Sequence, residues 1–158
     1  RHPSLVTPLY MRLVEVLLNR VAYPSNFVSW EEQFDLESSE FEELRRLSTD
    51  VLIGAYELLR SDYLETLSTV VISTDKEDWT IIESALFCLC AVAREACARV
   101  KSAQNAVKNG RDSPAAADGS ATATGLTQMV ANLCEGGIAS TSNRHPLVLS
   151  AIGDFLGS

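Results

Sequence analysis

Apolar residues recur along this chain at the three-to-four spacing that lines one face of an α-helix, and no stretch alternates in the manner of a strand. The first example is the series Leu5, Leu9 and Leu13, and the densest lies between residues 79 and 100. The pattern predicts six helices, over residues 4–21, 39–59, 62–71, 78–108, 125–134 and 145–156.

Polar residues indicate where several of these helices begin. Ser38 or Ser39 is expected to cap the second helix, which places Glu42 and Glu43 in its first turn, where the helix dipole favours negative charge. Asp62 is expected to cap the third helix. Before the second helix, residues 23–38 are predicted to form a loop that carries apolar side chains, Trp30 and Phe34 among them.

The fourth predicted helix has a nearly continuous apolar middle, from Ser84 to Ala93. Such a helix must be covered on more than one side, so it is expected to lie in an interior layer. The stretch that follows, residues 109–124, consists mainly of Gly, Ser, Ala, Thr and Asp, and it offers little apolar surface to offset the entropy cost of ordering. We therefore predict a flexible surface loop there.

The succession of helices without strand patterns predicts an all-α fold and excludes architectures built on βαβ units. Short connections make neighbouring helices antiparallel hairpins. Periodicity alone leaves two arrangements open, a globular bundle and a solenoid of hairpins about 40 residues long. We expect residues 1–158 to form one helical unit excised from a longer protein.

One segment carries a resemblance to a known family. The sequence WTIIESALF at residues 79–87, followed by AVAR at 91–94, resembles the W-x-x-x-E-[AS]-x-L-F helix and small-residue segment in HEAT repeats of β-karyopherins, most of all the transportin-SR and importin-thirteen-like branch. The neighbouring helices are laid out similarly, although residues 109–124 depart from the compact family connection. The resemblance implies an α-α superhelix of antiparallel helical hairpins, a HEAT-like solenoid fragment.

The same resemblance implies a function. β-Karyopherins are nuclear transport receptors that shuttle between nucleus and cytoplasm and bind Ran GTPase, cargo proteins and nucleoporins, without a cofactor or catalysis. The alternative is a helical-repeat scaffold or adaptor unrelated to nuclear transport, and a third hypothesis is a helical regulatory domain of an enzyme. Because a cut solenoid exposes apolar faces, the end helices at 4–21 or 145–156 are expected to mediate self-association.

Charge favours basic partners. The chain has 21 acidic and 13 basic residues, a formal net charge of −8, which argues against direct binding to nucleic acid. Seven acids without an intervening Lys or Arg form a candidate protein-binding patch: Glu31, Glu32, Asp35, Glu37, Glu40, Glu42 and Glu43. The alternative is a solvated helix start, in which Arg45 and Arg46 pair with Glu42 or Glu43 across one turn.

Catalytic and metal-binding patterns are missing from the sequence. Its two histidines, His2 and His145, are far apart, and no nucleophile elbow, zinc-protease or phosphate-loop motif occurs. The four cysteines lie in apolar stretches and are expected to pack in the core of a protein from a reducing compartment. No apolar run approaches the roughly 20 residues that span a bilayer. We therefore expect no enzyme activity, cofactor, metal or membrane span.

Overall fold

The computed structural model describes residues 3–24, 26–27, 29, 35–74, 77–109, 114–135 and 145–157. All regular secondary structure in these ranges is α-helical, which confirms the all-α prediction. The helices are α1 (Pro3–Arg20), α2 (Asp35–Leu59), α3 (Ser61–Ser73), α4 (Trp79–Lys108), α5 (Pro114–Glu135) and α6 (Pro146–Gly157).

Helix α4 lies at the centre of the packing and contacts each of the other five helices. Its apolar middle supplies side chains to most of the core, as its composition predicted, because a helix that is apolar all round must be covered on several sides. The largest side chains with almost no solvent exposure come from five helices: Val14, Leu52, Tyr56, Tyr63, Leu67, Ile82, Leu86, Leu89, Val92 and Val148.

Helix α2 begins earlier than predicted. Its first residue is Asp35, so Ser38 and Ser39 lie inside the helix, and Glu42 and Glu43 lie in its second turn or beyond. The predicted cap at a serine is therefore wrong, because the acids and serines that precede residue 40 continue the helix. Of the predicted apolar loop residues, Trp30 and Phe34 lie outside the described residues.

The junction between α2 and α3 also differs from the prediction. A single residue, Arg60, joins the two helices with φ 57° and ψ −119°, in the left-handed half of backbone space that most side chains avoid. Asp62 therefore lies in the first turn of α3 and is not its N-cap. The carboxylate still lies at the positive end of the helix, where its charge is favourable.

The loop predicted over residues 109–124 is wrong from residue 114 onward, where α5 runs without interruption to Glu135. Alanine has the highest helix propensity, and Pro114 occupies the first helical position, where its missing amide costs little. Small side chains also let α5 approach α4 closely, since a methyl group added at Gly119 would overlap the Cβ of Ala103. The prediction considered only how many large apolar side chains the segment has, and it did not allow for close packing of α5 on α4 through small residues.

Candidate protein-binding surfaces

The acidic run predicted as a binding patch surrounds the start of α2. Glu31 and Glu32 lie outside the described residues, and the backbone of Asp35 and Glu37 belongs to the first turn of the helix. The remaining three, Glu40, Glu42 and Glu43, are exposed. At about 100° per residue, Glu42, Glu43 and Glu40 fall within an arc of roughly 160°, so these three acids share one broad side of the helix.

The two arginines that follow the run have different partners. Arg46 donates to both carboxylate oxygens of Glu43 at 2.7 Å, as predicted for a contact across one turn. This exposed pair lowers the pKa of Glu43 through its hydrogen bond to Arg46. Arg45 does not pair with Glu42 or Glu43. Its guanidinium binds Glu83 of α4, with N–O distances of 2.9 and 2.5 Å.

Arg45 is enclosed by three aromatic rings and a helix end. Its guanidinium carbon lies 4.4 Å from the ring centroid of Tyr23, 4.8 Å from that of Phe41 and 4.6 Å from that of Phe87. Two of its nitrogens also donate to the carbonyl oxygen of Val21, at 3.0 and 2.7 Å. The carbonyls at a helix C-terminus carry partial negative charge, so Arg45 stabilises the C-terminal end of α1. Glu83 of α4 balances the positive charge of Arg45.

The residues that carry the family resemblance form a seam along α4 that contacts other parts of the chain. Trp79, Glu83 and Phe87 are one helical turn apart along α4. Trp79 stacks on the imidazole of His145, just before α6, with centroids 3.7 Å apart and planes 8° apart. Glu83 and Phe87 both contact Arg45 of α2. The motif therefore joins α4 to α2 and to the residue that precedes α6.

Titratable groups near this seam are shifted by burial. Desolvation lowers the pKa of His145, although the charge of Glu83 opposes the shift. Burial raises the pKa of the Cys88 thiol to about 12 and that of Cys90 to about 11. Tyr63, whose hydroxyl donates to the Cys88 carbonyl oxygen at 2.7 Å, has a pKa raised by the same cause. Cys88 is a core side chain, as predicted, whereas Cys90 and Cys97 are only partly buried, and the side chain of Cys134 lies outside the described residues. Neither Cys88 nor Cys90 has the lowered pKa of a nucleophile.

Two open apolar stripes on α1 and α2 were not predicted as one surface. The α1 stripe comprises Leu5, Leu9 and Val16, with exposed fractions of 69%, 68% and 44%. The α2 stripe comprises Leu44, Leu47, Val51 and Leu58, exposed by 39% to 52%. The helical spacing of these residues was visible in the sequence, but it did not distinguish the apolar side that packs on α4 from the side left open.

Two grooves border α5. One lies between α3 and α5, has a volume of about 370 Å³, and is lined by Leu64, Ile72 and Gly125 together with hydroxyl side chains. The other, about 610 Å³, lies between the end of α4 and the first half of α5, beside Val107 and Gly119. Glu65 and Gln128 also line the first groove, and Gln104 and Lys108 line the second, so both grooves combine apolar surface with polar side chains.

Comparisons of the chain with protein-family models, with curated proteins and with solved structures found no match. Within the described ranges, no three His, Cys, Asp or Glu side chains are grouped so that they could hold a metal ion. Nor is any helix in those ranges both long and apolar enough to cross a membrane. The surfaces that remain for function are the acidic start of α2, the two stripes and the two grooves.

Proposed function

We propose that this chain is a segment of a β-karyopherin-type nuclear transport receptor, which contributes stacked hairpins to a HEAT-like superhelix and takes part in binding cargo or GTP-bound Ran. The observation that supports this most strongly is the seam along α4. The motif residues Trp79, Glu83 and Phe87, on which the resemblance depends, each contact a neighbouring helical pair or the residue that precedes it. Such contacts are what a stack of hairpins needs at each step.

The order of helix contacts supports the same arrangement. Helix α4 contacts α2 on one side and α6 on the other, and α3 contacts α5, while α1 with α2 and α3 with α4 form sequential pairs. Alternate helices thus pack on each other within a layer, as in stacked hairpins. Two features depart from this arrangement. Helix α1 packs on α2 and α4, and α5 packs on α4 and α3 instead of forming a hairpin with α6.

A binding role fits the surface chemistry. The exposed carboxylates of Glu40, Glu42 and Glu43 create a negative potential around the start of α2, which would attract a basic segment of cargo or a basic face of Ran. A solvated helix start accounts for the same residues without a partner. The receptor would shuttle between nucleus and cytoplasm and meet nucleoporins there, with the protein acting only by reversible binding.

The first experiment measures the nucleotide dependence of Ran binding. The full-length protein that contains this chain is immobilised and exposed to Ran locked with GTP and, separately, with GDP. Selective binding of the GTP form is expected for a transport receptor. Equal binding of both forms, or none, would contradict the proposal and favour a helical-repeat scaffold unrelated to nuclear transport.

A second experiment tests the acidic start of α2. The double substitution Glu40→Lys and Glu42→Lys reverses two exposed charges, and it should weaken binding to a basic cargo segment at least about 10-fold at low salt, with a smaller effect at high salt. The matched control is Glu65→Lys, an exposed acid of α3. If both variants bind as the unchanged protein does, the acids are only a solvated helix start.

A further inference from the structure

The second half of α4 carries a line of exposed positive charge, made of Arg94, Lys101 and Lys108, which we call the basic line. These residues follow one another at intervals of seven, so at about 100° per residue they lie within about 40° of each other around the helix. All three are exposed, and within the described ranges none of them takes part in an ion pair. The chain as a whole has a formal net charge of −8, so this line is a local reversal of its sign.

Two carboxylates act on the N-terminal end of the basic line. Glu95 follows Arg94 in sequence and points about 100° away from it around the helix. The pKa of Cys90 is raised by burial and by the charge of Asp154 on α6, and Cys90 lies one helical turn before Arg94. The charge of Asp154 therefore also reaches this end of the line, and the positive excess is concentrated on the two lysines.

The larger of the two grooves, between α4 and α5, borders the basic line. Lys108 is part of its lining, and Val107, which is 64% exposed, belongs to its α4 wall. The α5 wall consists of small residues, which leave the groove open: Gly119, Ser120 and Ala123. Among the described residues, the lining contains no carboxylate. The basic line is therefore one edge of a groove whose other lining side chains are uncharged and mostly aliphatic or small.

We propose that this groove and the basic line together bind an acidic amphipathic helix of a partner protein. Apolar side chains of the partner enter the groove beside Val107, and its carboxylates pair with Lys101 and Lys108. At 1.5 Å per residue the two lysines are separated by about 10.5 Å along α4, so the partner helix presents acids seven residues apart on one face. Burial of apolar surface supplies affinity, and the complementary charges set the orientation of the bound helix.

A nucleic acid fits this surface less well than an acidic helix does. The described lining of the groove has no aromatic ring on which a base could stack, and three cations on a chain of net charge −8 release few counterions from phosphates. The proposal does not depend on the transport function proposed above. A failure of the Ran experiment leaves it untouched, and failure of an acidic helix to bind says nothing against Ran binding.

Fluorescence anisotropy with a labelled peptide tests the charge pairing on the 158-residue chain. The probe is a helical peptide of about 15 residues, with glutamates seven residues apart beside a stripe of leucines. At about 0.1 M salt, where charges more than roughly 10 Å apart are screened, Lys101→Glu with Lys108→Glu should weaken binding at least about 10-fold. The matched control is Arg12→Glu with Arg20→Glu, the same change of net charge at exposed positions of α1, and its affinity should stay within about 2-fold.

Circular dichroism verifies that each variant is folded. Absence of peptide binding to the unchanged chain, or equal losses in the two double variants, would overturn the proposal.

A charge swap tests whether the carboxylates meet the lysines. A peptide with lysine in place of each glutamate should bind the Lys101→Glu, Lys108→Glu variant at least about 10-fold more tightly than it binds the unchanged chain. A single-stranded oligothymidylate of about 15 nucleotides should bind the unchanged chain at least about 10-fold more weakly than the acidic peptide does. A swap without effect, or an oligonucleotide that binds as tightly as the peptide, would contradict the acidic helix as the occupant.

A change in the groove tests its apolar contribution. Val107→Ser should weaken binding of the acidic peptide about 3- to 10-fold, with little dependence on salt, because it removes apolar surface that the peptide covers. The matched control is Ile72→Ser, a 51% exposed side chain in the last turn of α3 that lines the other groove, and it should leave the affinity unchanged. Equal affinities of the two serine variants would show that the peptide does not occupy the groove between α4 and α5.

Discussion

Replacing Arg45 by methionine should cost about 3 to 5 kcal/mol of unfolding free energy, because it removes one partner of a buried ion pair. The side chains of Arg45 and Glu83 are only 13% and 6% exposed. Without Arg45, Glu83 keeps its buried charge without its guanidinium partner, and the carbonyl of Val21 loses two donors. The expected loss is about a fifth or more of the stability of an ordinary domain, roughly 5 to 15 kcal/mol.

A double-mutant cycle separates the pair from the packing around it. Glu83→Leu should also destabilise, but Arg45→Met combined with Glu83→Leu should cost less than Arg45→Met alone, because no buried charge is then left uncompensated. The matched control is Arg46→Met, whose partner Glu43 is 53% exposed, and it should leave stability unchanged within the error of the measurement, because an exposed ion pair is screened by solvent.

Urea unfolding followed by circular dichroism at 222 nm provides the measurement, with equal m-values required across the four proteins. If the two single changes add in the double variant, there is no coupling between the side chains, and the ion pair is not the source of the stability. A loss from Arg45→Met as small as that from Arg46→Met would refute the burial argument as well.

Three further predictions concern α5, α6 and the core. Gly119→Ala should destabilise the fold by about 1 to 3 kcal/mol, because the added methyl group overlaps Ala103. Gly153→Ala, whose methyl group would have nothing within 4 Å, should stabilise the fold by up to about 1 kcal/mol. Thermal melting of the two variants provides the comparison. Burial lowers the pKa of His145 below its value of 6.5 in the unfolded chain, so the unfolded chain binds a proton more readily than the folded one. The free energy of unfolding should therefore fall as the pH drops below about 7.5 and through 6.5. His145→Gln should reduce this loss, as measured by urea titrations at about pH 7.5 and about pH 5.0. The Cys88 thiol, with a pKa of about 12, should resist iodoacetamide at pH 8 until urea unfolds the chain, and mass spectrometry that finds rapid labelling in the native state would contradict its burial.

Regular apolar spacing predicted most of the helices. The continuous apolar middle of α4 and the pattern of α6 each determined a helix within a few residues of its observed ends, because these helices bury large side chains at helical intervals. The series Leu5, Leu9 and Val16 located α1 equally well, although the sequence suggested that these side chains are buried and the structure leaves them exposed. The first half of α5 escaped prediction because it packs through small residues. Its burial depends on how closely a neighbouring backbone approaches, which composition does not reveal.

The candidate surfaces were less predictable than the helices. Arg45 and Glu83 are separated by 38 residues, and local spacing favoured the nearer acids as partners of Arg45. Only the fold brings the two side chains together beside the aromatic rings of Tyr23, Phe41 and Phe87. In the same way, the apolar spacing of α2 was evident, but the division between its covered and open sides depends on where α4 and α1 lie against it.

The central position of α4 has a consequence for synthesis on the ribosome. Helix α6 covers α4 and lies beyond residues 109–145, so translation at about 5 to 20 residues per second leaves a delay of roughly 2 to 7 s between the two helices. During that time the central helix of the fold has earlier helices against some sides and nothing against the side that α6 will cover. Nascent α4 therefore presents an uncovered apolar side on which a chaperone can act.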